Sequence, residues 1–127
     1  MTTPLLREVS PSRVEESGEI RRWFSSLEMD LIVWCDPADR PVAFELCYDR
    51  KDHERSISWR PGVGFRHLAV DDGEGPGIGP KQTPVLVADG LFDARLVAKR
   101  LAKTAKEVPA ALLDFVFAKL AAWPNEG

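Results

Sequence analysis

The sequence predicts an α+β fold, an antiparallel meander of about five strands with two C-terminal helices packed on one face. Residues 29–59, MDLIVWCDPADRPVAFELCYDRKDHERSISW, hold three β-branched and aromatic runs parted by two polar loops, the pattern of consecutive antiparallel strands. Closing three successive turns by their own turn residues collects the apolar side chains on a single face. Beyond Gly90 the apolar residues recur at helical spacing, with Pro109 dividing them into two segments.

The chain begins with residues 1–18, which carry two prolines, serines and charges without a clear period. They are expected to form a partly ordered arm with at most a short extended piece. Residues 19–26 alternate as a first strand, Ile20 and Phe24 inward and Arg21 and Trp23 outward. Ile20, Trp23 and Phe24 also fit one face of a helical turn, so that alternative stays open. Strands follow over residues 29–36, 41–49, 54–60 and 64–71.

Asp36-Pro37-Ala38-Asp39-Arg40-Pro41 has the residues of a hairpin turn. Symmetric closure sets Asp36 opposite Pro41, Val33 opposite Phe44 and Leu31 opposite Leu46. The loop 50–53 pairs Asp49 with Glu54, and the turn Pro61-Gly62-Val63-Gly64 pairs Arg60 with Phe65. The predicted core face is then Leu31, Val33, Val42, Phe44, Leu46, Tyr48, Ile57, Trp59, Leu68 and Val70. Residues 72–84, with four glycines and three prolines, form a loop, and PVLVA at 84–88 is a short extended run. A helix is expected from Asp89-Gly90 with Asp93 in its first turn and Phe92, Leu96, Leu101, Ala105 and Val108 as its stripe. Pro109 opens a second helix facing inward through Leu112, Leu113, Val116, Phe117, Leu120 and Trp123. Residues 19–123 thus form one α+β domain, followed by a tail at 124–127.

A net charge of −3 and a pI near 5.4 argue against nucleic acid as a partner. No apolar run approaches the roughly 18 residues of a membrane span, and the opening MTTPLLREVSP lacks a signal-peptide core. The cytoplasm is the expected location. In the predicted register Cys35 lies opposite Val42 and Cys47 opposite Asp30, on different faces and roughly 17 Å apart, beyond disulfide reach. Both read as packed free thiols.

The segments DLIVW, FELCYD, ERSISW, HLAVDDGEG and TPVLVADG resemble a group of small uncharacterised bacterial proteins, over about Arg21 to Trp123. The resemblance implies a single compact domain and carries no activity, cofactor or partner.

Four stretches invite a functional reading. On the sheet face away from the predicted core, the register puts Ile32, Glu45, Ser58 and His67 in one row, beside Trp34, Cys47, Ser56 and Arg60, with Trp23 and Arg21 adjoining. Aromatic anchors with a few placed polar groups are what ligand pockets and interfaces use, although a wet sheet face contains similar residues. One extra or missing residue in the 61–64 turn sends His67 to the core instead. At one sheet end, Asp49, His53, Glu54 and Asp71 converge; carboxylates directly opposite one another want a cation, and Arg50, Lys51 and Arg55 lie near enough to supply it without metal. The Gly-rich loop at 73–81 has the wrong spacing for a phosphate loop. Arg95, Lys99, Lys103 and Lys106 are spaced as the wet side of a helix.

Two functions compete. The first is a small cytoplasmic binding or interaction module using Trp34, Glu45, Ser58, His67 and Arg60 on a small ligand or a second copy of the chain. The second is an enzyme using Asp49, His53, Glu54 and Asp71 to hold a divalent cation that activates water or polarises a substrate.

Overall fold

Among the described residues there are six strands, β1 (Arg7–Val14), β2 (Ile20–Ser25), β3 (Asp30–Cys35), β4 (Pro41–Tyr48), β5 (Arg55–Arg60) and β6 (Gly64–Ala69), most of them alternating apolar and polar residues. Two helices follow, α1 (Ala94–Thr104) and α2 (Ala110–Ala122). The computed structural model describes residues 5–48, 55–69 and 93–123, with backbone alone at Ser10, Pro11, Leu68 and Ala69. The strands form one sheet in the order β1-β2-β3-β4-β5-β6, each antiparallel to its neighbour, which is the expected meander with one more strand.

The additional strand is β1, inside the stretch expected to be an arm. Val9 pairs with Trp23 and Arg13 with Arg21, so Ser10-Pro11-Ser12 lies opposite the single residue Arg22 and forms a bulge. Proline cannot donate to a ladder, and an edge strand is where a sheet tolerates it. Residues 20–25 are strand rather than helical turn.

Registers of the central strands match their turn chemistry. Leu31 lies opposite Leu46 and Val33 opposite Phe44, while Leu46 faces Ile57 and Tyr48 faces Arg55. The first hairpin closes one residue differently: Cys35 pairs with Pro41 across an irregularity, not with Val42. Asp36 explains this, because its carboxylate accepts from the amides of Ala38 and Arg40, each at 2.9 Å, and draws the loop tight. Cys35 is consequently fully buried and Val42 only half-buried.

At the last hairpin the predicted register is off by one. Arg60 pairs with Gly64, Trp59 with Phe65, Ser58 with Arg66 and Ile57 with His67. The loop has three residues, Pro61-Gly62-Val63, with the Val63 amide donating to the Arg60 carbonyl at 3.0 Å. Gly62 and Gly64 both have φ of 82°, a left-handed conformation that side chains disfavour. An added Cβ on Gly62 would meet nothing within 4 Å, so Gly62→Ala costs only backbone strain. Urea denaturation of that variant should show a loss of about 1–2 kcal/mol.

The helices cover the Val33–Phe44–Ile57 face. Phe24, Leu31, Val33, Phe44, Leu46 and Ile57 are sealed beneath Val97 and Leu101 of α1 and Leu112, Val116 and Leu120 of α2. Asp93 caps α1, accepting from the Leu96 amide at 3.1 Å, so the helix starts after Asp93 rather than at 89–90. Val97, spaced i, i+4 with Leu101 and Ala105, faces inward and Leu96 is half exposed, correcting the predicted stripe. Asp93→Ala should lower stability by about 1 kcal/mol in the same assay. The chain start is tied to the far end of α1 by the Leu6 amide donating to the Thr104 carbonyl at 2.8 Å. Among the described residues no helix is long and apolar enough to cross a membrane.

Candidate functional site

The sheet face opposite the helices is built from the outward members of each strand. Successive pairings place Val9, Trp23, Ile32, Glu45, Ser58 and Arg66 in one lateral row from β1 to β6. A second row runs Arg13, Arg21, Trp34 and Ala43. Arg60, two residues beyond Ser58 on β5, shares this face. Its guanidinium lies over the Trp34 ring, 5.3 Å from the centroid, across the gap left by the small Ala43. The same guanidinium donates to both carboxylate oxygens of Glu19, at 3.1 and 3.2 Å, so its position is fixed by two partners.

Trp34 and Arg60 together line two depressions. One, of 280 Å³, is walled by Glu45, Ser58, Trp59 and Arg66. The other, of 710 Å³, is walled by Arg13, Arg21 and the turn carrying Glu15, Glu16 and Glu19. Trp34, Glu45, Ser58 and Arg60 are therefore brought together as the sequence predicts.

His67 is not among them. The three-residue turn sends it to the core face, where it is 3 % exposed and hydrogen bonds through Nε2 to the Tyr48 hydroxyl. Its ring stacks on Tyr48 with centroids 6.0 Å apart and meets the edge of Trp123 at 6.4 Å. Burial, assisted by the positive charge of Arg55, lowers its pKa to about 4. The imidazole is neutral near pH 7 and is closed off from any ligand on the outer face. Arg66 takes its place beside Ser58.

The residues missed at the sequence level are Arg66, Arg13, Glu15 and Glu19. Arg66 was hidden by the turn length, Arg13 and Glu15 by reading residues 1–18 as an arm, and Glu19, at the start of the expected first strand, because its partner Arg60 lies 41 residues further on. Asp49, His53, Glu54 and Asp71, and with them the expected divalent cation, lie outside the described residues, as does the loop 73–81. Among the described residues no group of three or more His, Cys, Asp or Glu is placed to hold a metal. Arg95, Lys99, Lys103 and Lys106 are all exposed along and just past α1. Cys35 and Cys47 are free thiols.

No protein-family model, no curated protein and no solved structure matches this chain. Function therefore has to be argued from the geometry alone.

Proposed function

We propose that the chain is a small cytoplasmic binding module whose working surface is the outer sheet face around Trp34. The observation that supports this reading is the Trp34–Arg60 stack, held in place by Glu19 and bordered on both sides by depressions. Tryptophan and arginine are the residues most often found carrying binding energy, because each offers a large rigid surface together with directional donors. Concave relief on both sides of the stack favours a small ligand over the flat contact of a second copy. Two free thiols agree with a reducing compartment.

The test is an NMR screen of small neutral, anionic and cationic compounds against the isotopically labelled chain, read at the Trp34 indole and the Glu45, Ser58 and Arg66 amides. A ligand of this face should shift those signals, and Trp34→Ala should abolish the shifts while lowering stability by only about 1 kcal/mol. Shifts confined to α1 and α2, or a Trp34→Ala protein that binds normally, would contradict the proposal. Dimerisation that Trp34→Ala disrupts would make a second copy the occupant.

A further inference from the structure

Arg13 and Arg21 are direct cross-strand partners on the outer face. Two like charges in that position repel, and a sheet normally avoids the pairing or neutralises it. Here the neutralisation is incomplete. Glu15 approaches Arg21 at 3.9 Å, a contact too long for a hydrogen bond, and Arg13 has no ion-pair partner among the described residues. Glu19 is committed to Arg60 through both oxygens, while Glu16 is on the rim. Both guanidiniums border the 710 Å³ depression, and Trp34, the cross-strand neighbour of Arg21, forms its adjoining wall. That volume falls in the ordinary range of ligand sites.

Resting on the binding-face reading above, we infer that this depression binds a phosphate monoester, with Arg13 and Arg21 clamping the phosphate and Trp34 receiving the ring or apolar part. Two adjacent guanidiniums match a group carrying nearly two negative charges and three acceptor oxygens better than a single carboxylate. Glu15 is the internal competitor. Its carboxylate sits loosely where the ligand's charge belongs, and its backbone, which closes the β1–β2 turn through Glu19 and Gly18, does not depend on the side chain's charge. Removing that charge should strengthen binding, and removing either arginine should weaken it.

The probe is phenyl phosphate, titrated into the full chain at low salt and pH 7.5 and followed at the arginine Nε–H and Trp34 indole signals. Shifts at Arg13, Arg21 and Trp34 are expected, with inorganic phosphate binding more weakly and phenol not at all. Arg21→Gln should weaken binding by about tenfold. Arg13→Gln, at an exposed position where folding is not at risk, should do nearly the same, and Glu15→Gln should tighten binding severalfold. Phenol binding as well as phenyl phosphate at Trp34 would overturn the phosphate inference and leave the binding face standing. Benzoate binding as tightly as phenyl phosphate would also overturn it, in favour of a simple carboxylate site. Silence at Trp34 toward every compound in both experiments would remove the inference and the binding face together.

Discussion

Phe44→Ala is expected to cost about 3–5 kcal/mol, the range for emptying a fully buried aromatic site. Phe44 has no exposed surface, lies between Val33 and Trp59 in the sheet, and meets the edge of Phe115 from α2 with ring centroids 6.3 Å apart. The substitution removes the ring contact between β4 and Phe115 of α2 and leaves a cavity in the shared core. Because a domain of this kind is stabilised by roughly 5–15 kcal/mol in total, the variant should unfold at much lower urea and lose much of its thermal midpoint. A loss below about 1 kcal/mol would mean that the α2 helix does not sit on the Val33–Phe44–Ile57 face.

Stability should also fall as the solution is acidified from neutral to about pH 4, because of His67. Its folded pKa is lowered to about 4 by burial and by Arg55. In the unfolded chain it returns to about 6.5, so the unfolded state takes up the proton first. The contribution of neutral His67 is therefore fully present above pH 6.5 and is lost progressively as pH drops toward 4. With the side chain 3 % exposed, the loss across that window is about 3 kcal/mol at most. Glu8, held below the usual carboxylate range by the Arg22 guanidinium that binds it at 2.8 Å, weakens the fold only at lower pH, where it is itself protonated. Urea titrations at a series of pH values separate the two windows. His67→Gln should flatten the upper one and leave the lower one unchanged; a wild-type curve already flat from pH 7 to 4 would contradict the burial of His67.

The parts of the fold that were legible in the sequence are those where alternating apolar runs face one another across a short polar loop. Leu31 and Val33, Phe44 and Leu46, and Ile57 leave little choice about how β3, β4 and β5 align, although Asp36, by bonding the amides of Ala38 and Arg40, closes the first hairpin one residue differently at Cys35. The outer face of those three strands, and with it Trp34, Glu45, Ser58 and Arg60, could be read directly. The β5–β6 register could not. Two glycines in Pro61-Gly62-Val63-Gly64 permit a three- or a four-residue loop. Alternation does not arbitrate, because Phe65 and His67 on one parity and Arg66 and Leu68 on the other each pair one apolar residue with one polar residue. β1 was hidden differently: REVSPSRV has a proline in its interior and only Val9 and Val14 as large apolar residues, too few to show a strand period. Leu96 was misplaced because it lies five residues before Leu101, out of helical phase, whereas Val97, four before it, keeps the i, i+4 spacing with Leu101 and Ala105.

What distinguishes an arginine–tryptophan binding face from one containing histidine is the single register step between β5 and β6. Cross-strand NOEs measure it directly. Contacts linking Ile57 with His67 and Ser58 with Arg66, together with ring contacts between His67 and Tyr48, are the predicted result. Contacts linking Ser58 with His67 would put the imidazole beside Glu45 and Trp34 and contradict the account of the site given above.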